Sequence, residues 1–317
     1  MNIRDFATTD YPAIVEIHNS LNIVWPESSR KVEDWAYADK NRNPKCNHQR
    51  FVAKTEGKVV GVASFGNRLD DYHPQKFYIN IEVLETFRNR GIGGALHDHM
   101  MNALKPFKPT VLRTDILENQ IQSYPFVEKR GFKEVWRETP VHLDISAFDF
   151  APFENLEENL HSKGITISSL SELKDIPELE RKVYDLYYEA SRYVPSEYES
   201  FEIGPYEDWL NMCINDPSTR LDAFFIASHD GNFIALHELG MHSSGNVLLG
   251  GLLGTLPEFR GQGIALALML RAIRYAYEKE LTTFKTCTAS VNQPMQKLFA
   301  KLGFGYDPQW LQCQKDL

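Results

Sequence analysis

Hydrophobic positions along this chain switch between a period of two and a period near 3.6, and the switches come twice in the same order. The first round opens with a short strand, Ile3-Arg4-Asp5-Phe6. Thr9-Asp10 then caps a helix in which Ile14, Val15, Ile17, His18 and Leu21 recur at helical spacing. FVAKTEGKVVGVASF holds two β-rich runs around Glu56-Gly57, the pattern of a hairpin. The strand FYINIEV leads into RNRGIGGAL, and the helix after it carries Leu96, Met100 and Leu104 on one side. VLRTDIL predicts a strand, 121–129 a helix, and Gly131-Phe132 leads to strands at KEVWRE and VHLDI.

The second round repeats this plan. GITISSL predicts a strand and 171–190 a helix. FFIASHDGNFIALHEL is a hairpin around Asp230-Gly231, and NVLLGGLLGTL is a strand entering RGQGIALAL. A helix (LALMLRAIRYAY), a strand (FKTCTAS) and a helix over 293–301 follow, closed by Gly303-Phe304. Gly57 and Gly231 lie 174 residues apart, Gly91 and Gly263 lie 172 apart, and so do Gly131 and Gly303. Such register is the mark of duplication. It predicts domains at 1–148 and 164–317. The connection at 149–163 lies in the acidic, polar stretch AFDFAPFENLEENLHSK. Only 13 residues follow Phe304, against about 18 after Phe132 in the first domain. The second domain therefore lacks a strand or borrows one, which predicts close packing of the two domains.

Composition narrows the class. At 317 residues, 43% hydrophobic and 24% charged, the chain suits two globular domains. No apolar run reaches the ~20 residues of a membrane span, and MNIRDFATTDYPAI has no apolar signal core. Cys46, Cys213, Cys287 and Cys313 form no CxxC or Cys/His ligand spacing. Free thiols in a cytoplasmic protein are the expectation, with no metal. A net charge of −9 argues against nucleic-acid partners and mildly favours cationic small molecules.

The chemistry sits in the two glycine-rich stretches. Both read R-x-x-G-x-(G/A): Arg88, Gly91 and Gly93, then Arg260, Gly263 and Ala265. A strand before and a helix after place loop amides at a helix N-terminus, where free donors and the dipole converge on an anion. Neither stretch carries G-K-(S/T), and the G-x-G-x-x-G dinucleotide pattern fails as well. With glycine at ~7% of residues, one such match arises in roughly one window per thousand. Two in register are another matter, each followed by an asparagine (Asn119, Asn292) and Gly-Phe.

With VLETFRNRGIGGAL and ENQIQSYPFVEKRGF in the first half, and TLPEFRGQGIALAL and VNQPMQKLFAKLGF in the second, the chain resembles a tandem member of the GNAT acetyltransferase superfamily. Its doubled layout is similar to that of the mycothiol synthases. The resemblance implies an α/β (α+β) fold of two GNAT domains, each a mixed, mostly antiparallel twisted sheet flanked by helices. It also implies acetyl-CoA as cofactor, a small-molecule primary amine as acceptor, and a monomer or homodimer. The cofactor loops would be Arg88, Asn89, Arg90, Gly91, Ile92, Gly93 and Gly94, and Arg260, Gly261, Gln262, Gly263, Ile264 and Ala265. Strand amides would come from Ile81, Val83 and Leu84, and from Leu253, Thr255 and Leu256, with Asn119, Asn292 and Phe299 nearby.

The family's tyrosine acid, four residues before the Gly-Phe glycine, is absent: Val127 and Phe299 stand there, and Tyr124 is the substitute at hand. Candidate bases are Glu82 and Asp115 in the first half and His237, Glu238 and His242 in the second. Aromatic residues Trp25, Tyr37, Tyr72, Tyr78, Tyr188, Tyr193, Tyr206 and Trp209 are candidates for acceptor pockets. Two readings stand side by side. One is an N-acetyltransferase working in one half or both, with the layout favouring the second half and the first retaining CoA. The other is a CoA-binding sensor or scaffold without turnover.

Overall fold

The computed structural model describes residues 1–21, 31–68, 72–196, 204–242 and 244–317. They divide into two compact units, Met1–Arg137 with Pro308–Leu317, and Glu138–Asp307.

In the first unit β1 (Asn2–Asp5) leads to helices α1 (Tyr11–Leu21) and α2 (Val32–Lys40), then β2 (His48–Thr55), β3 (Lys58–Gly66) and β4 (Lys76–Val83). Helix α3 (Ile92–Leu104), β5 (Val111–Leu117) and α4 (Tyr124–Glu128) follow, and the chain enters β6 (Lys133–Asp144). The sheet order is β1-β2-β3-β4-β5. All pairs are antiparallel except β4 with β5. Ile92, Leu96, Met100 and Leu104, at helical spacing, are buried on one sheet face against Phe51, Phe65 and Phe77. The opposite face buries Ile14 and Ile17 of α1 against Val52, Val59 and Val62.

The second unit takes α5 (Leu156–His161), β7 (Ile165–Ser169), α6 (Leu179–Ser191), α7 (Tyr206–Trp209) and the hairpin β8 (Phe225–His229) and β9 (Asn232–Met241). Then come β10 (Val247–Thr255), α8 (Ile264–Glu278), β11 (Thr283–Ala289), α9 (Gln293–Leu302) and β12 (Gly305–Tyr306), before the chain returns to the first unit as β13 (Trp310–Asp316). The second unit's sheet order is β6-β11-β10-β9-β8-β7, with β12 on β6. Helix α8 covers one face, α6 and α7 the other. Both faces are therefore apolar, which is why β8 and β9 read as nearly continuous hydrophobic runs.

The missing strand is resolved by exchange. Residues 138–144 of β6 pair with β11 in the second unit, from Glu138↔Ala289 to Asp144↔Thr283. The last strand, β13, pairs with β5 in the first, from Val111↔Asp316 to Leu117↔Trp310. The division thus falls inside β6, not in the 149–163 segment, which here includes the short helix α5. The two strands expected at KEVWRE and VHLDI form the single strand β6. The helix expected over 171–190 starts only at Leu179, after Glu178 adopts φ 55°. Among the described residues no helix is long and apolar enough to cross a membrane.

Candidate active site

In each unit two neighbouring parallel strands part company. Strand β10 pairs with β11 only over Val247–Leu249, and β4 with β5 only over Lys76–Tyr78. Beyond those points the strand edges face a gap. Amides alternate sides along a strand, so one bond sets the parity of the rest. The Leu256 amide donates to the Ile234 carbonyl and the Leu84 amide to the Val60 carbonyl. The amides of Leu253 and Thr255, and of Ile81 and Val83, therefore point into the gaps. Leu84 and Leu256 do not serve as expected: their amides are spent on the neighbouring strand.

The loops that follow are built alike. The Arg260 Nε donates to the Thr255 carbonyl at 2.9 Å and the Arg88 Nε to the Val83 carbonyl at 3.1 Å. Each arginine thus folds the loop back on its strand. The left-handed residues are Gly261 (φ 76°) and Gly263 (φ 90°) in one loop, Asn89 (φ 60°) and Gly91 (φ 78°) in the other. Asparagine tolerates this conformation better than most residues, so the shape persists where the glycine does not. Helices α8 and α3 then start at Ile264 and Ile92, whose side chains are buried anchors while their first-turn amides stay outside the helix ladder. Gln262 and Ala265 are partly exposed, Arg90 lies over the Phe87 ring, and the Arg260 guanidinium over Tyr193 at 4.7 Å.

The copies differ above the loop. A side chain at Gly93 would meet the Phe126 ring at 3.3 Å, and one at Gly94 would meet the Arg130 guanidinium at 3.4 Å. Arg130 itself stacks on Phe126 at 3.5 Å. Leu298 and Leu302 hold the corresponding places in the second unit, packed into its core.

The strands differ too. Strand β4 runs in unbroken register along β3. Strand β10 bulges against β9 between Gly250 and Leu253. Glu238 sits on that bulge: a Cβ on Gly251 would lie 2.7 Å from its Oε2, so only glycine lets the carboxylate approach. Oε2 accepts from the Tyr187 hydroxyl at 2.9 Å and from the Leu252 amide at 3.4 Å. Burial raises the Glu238 pKa above the ordinary carboxylate range, against the pull of these hydrogen bonds. Burial and the carboxylate together push the Cys213 thiol up to about 12 and raise Tyr187 well above its usual value.

Several expected residues lie elsewhere. His237 is 1% exposed on the opposite face of β9, its Nδ1 3.5 Å from the Leu268 carbonyl, and burial lowers its pKa to about 4. It is a core residue. Its neutral form is favoured by folding, so its contribution is complete above pH ~6.5 and lost as pH falls through about 4. Wild-type protein should lose about 3 kcal/mol more between pH 7 and pH 4 than His237→Leu does in urea unfolding; equal losses would refute this.

Phe299 is wholly buried against Phe304, as part of the core rather than the site surface. Asn292 caps α9 by accepting from the Met295 amide, and Asn119 is exposed. Tyr124 donates to the Glu118 carbonyl at 3.3 Å, with Arg137, Glu118 and Glu134 as its charged neighbours. His242 follows the end of β9, its amide donating to the Val247 carbonyl where β10 still pairs with β11, and Asp115 is exposed on β5. Glu82 is engaged by His18 of α1, with Oε1 to Nδ1 at 3.0 Å. Of the aromatic candidates, Trp209 is core, Tyr188 and Tyr193 are exposed, and Trp25 falls outside the described residues. Sequence reasoning missed Tyr187, Cys213 and Phe126, which no motif marks.

A family model described as the acetyltransferase (GNAT) family matches the chain twice, over residues 12–132 and 181–304. The chain belongs to the acetyltransferase (GNAT) family. Both matches end at the Gly-Phe pairs, so the repeat read from spacing and the family repeat coincide. A GCN5-related N-acetyltransferase from Sphaerobacter thermophilus shares the fold at TM-score 0.72 and 16% identity, covering 99% of this chain and 95% of that one. A tandem GNAT protein from the clavulanic acid biosynthesis pathway matches at TM-score 0.70 and 18% identity, covering 99% and 98%. The tandem arrangement is thus a GNAT architecture with solved counterparts. No curated protein matches the chain in sequence.

Proposed function

We propose that this GNAT protein transfers an acetyl group from acetyl-CoA to a primary amine of a small molecule, and that the second unit does so. The observation that carries this reading is Glu238, set on the glycine bulge of β10 just before the Leu253 and Thr255 amides that face the gap.

The residues present suit such a cofactor. The first-turn amides of α8, the left-handed Gly261 and Gly263 and the Arg260 guanidinium form a cradle for a diphosphate. The buried Thr255 hydroxyl beside it has no hydrogen-bond partner among the described residues, a donor left for a ligand. Bound acetyl-CoA would supply the activated acyl carbon. The Leu253 and Thr255 amides are placed to stabilise negative charge developing on the acyl oxygen. Glu238, with its raised pKa, accepts a proton from the acceptor ammonium, a task that suits a carboxylate tuned toward neutral pH. Holding both reactants in one cleft turns the encounter into an oriented step.

The first unit supports binding and catalysis less well. Its β4 has no bulge against β3, Glu82 is engaged by His18, and Phe126 lies over Gly93.

Thiol release from acetyl-CoA, measured with a panel of polyamines, aminoglycosides, amino acids and peptide N-termini, tests the proposal. Amine-dependent release with at least one class is expected. Tight acetyl-CoA binding with no turnover on any of them would leave the sensor reading in its place.

A further inference from the structure

The two oxygens of Glu238 are treated differently. Oε2 takes both the Tyr187 hydroxyl and the Leu252 amide; neither reaches Oε1. We propose that Tyr187 is the positioning residue of this site, its hydroxyl holding Oε2 so that Oε1 is presented to the acceptor amine. This rests on the reading of Glu238 as the proton acceptor, and adds to it a residue outside every GNAT motif in the chain.

The geometry that makes Tyr187 suitable is rigid. Helix α6 is clamped to the sheet, because Ala190 packs where a side chain on Gly254 would stand, 2.7 Å away. Val183 and Leu186 are buried below it. The Tyr187 ring is set against Trp209 at 5.8 Å and 62°, and Trp209 is itself buried. A tyrosine fixed at both ends of its ring loses little freedom in holding a carboxylate.

The chain beyond Trp209 completes the arrangement. Residues Leu210–Ile214 form a π-helical turn, in which the Asn215 amide reaches back to the Leu210 carbonyl. The wider turn places the Cys213 thiol near Tyr187 and Glu238; such turns are frequent where a helix is bent to a site's needs. The groups acting on Glu238 are Tyr187 from α6, Cys213 from the π turn, Asp216 two residues beyond that turn, and the Leu252 amide from β10. Among the described residues no cation acts on it, so the acceptor's own ammonium would be the counter-charge, received by a correctly aimed Oε1.

Donation by Tyr187 favours the ionised carboxylate. Removing the hydroxyl therefore shifts the Glu238 titration upward. The measurement is carboxyl carbon NMR on the full chain labelled at glutamate, with Glu238→Gln assigning the resonance. In Tyr187→Phe the Glu238 midpoint should rise by about one pH unit. In protein carrying 3,5-difluorotyrosine at 187, a stronger donor that keeps the ring, it should fall. The fluorinated protein also covers the case in which Tyr187→Phe does not fold. Midpoints unmoved in either direction overturn the proposal, because a tyrosine that merely packs would leave the carboxyl titration alone. Failure of the underlying reading shows separately: Glu238→Gln turning over amines at the wild-type rate would remove the proton acceptor whatever the titrations show, and overturn the positioning role with it.

Discussion

Glu238→Gln lowers amine-dependent thiol release by about 10²–10⁴-fold, while acetyl-CoA binding changes little. Glutamine keeps the shape over Gly251 and still accepts from Tyr187, so the loss isolates the proton. The carboxylate is held 2.9 Å from the Tyr187 hydroxyl and 3.4 Å from the Leu252 amide, over the bulge of β10. Glu82→Gln in the first unit serves as the contrast. That carboxylate is already engaged by His18 at 3.0 Å, on a strand with no bulge, so turnover should stay within twofold or so of wild type, the scatter expected of a site remote from the chemistry. Equal losses in the two variants would mean that both units work. Loss in Glu82→Gln alone would move the chemistry to the first unit.

The second large effect separates the two cradles by calorimetry. Arg260→Glu should weaken acetyl-CoA binding by about 10²-fold or more, since it removes a cation from the diphosphate site and puts an anion there. It also cuts the 2.9 Å hydrogen bond that folds the loop onto the Thr255 carbonyl. Arg88→Glu should leave the measured isotherm unchanged, because Phe126 and Arg130 lie over Gly93 and Gly94 in the first unit. This runs against the expectation, drawn from the intact loop alone, that the first unit retains CoA. Two binding events in wild-type protein, one removed by each substitution, would restore that expectation.

The doubled architecture is legible in the sequence because backbone conformation constrains residue choice. Left-handed positions four residues or fewer from an arginine, followed by a helix, survive as Asn89 and Gly91 or as Gly261 and Gly263. The count of residues after Phe304 also shows that the second domain lacks a strand or borrows one. What it leaves open is which strand fills the place, since both 138–144 and 310–316 have strand-like composition and pairing partners are set in three dimensions.

The site is less legible, for a reason visible in β9. Helices cover both faces of this strand, so alternation does not tell which of His237 and Glu238 faces the cleft. The structure sends the histidine into the core and the carboxylate onto the bulge. Parity also misleads at Leu84 and Leu256, one residue past the amides that open into the gaps. Tyr187 and Cys213 meet Glu238 only through the clamp of α6 and the extra residue in the π turn. Neither feature has a sequence signature.

The exchange of strands has a consequence for how the protein is made. The first unit has most of its core by Arg137, but its β5 edge pairs with residues from Trp310 onward. Strand β5 must therefore wait, with its backbone edge bare, while the whole of the second unit is synthesised. A bare strand edge is a template for unintended pairing. The first-made half is thus the last to close, and in a growing chain it would be the half most in need of protection.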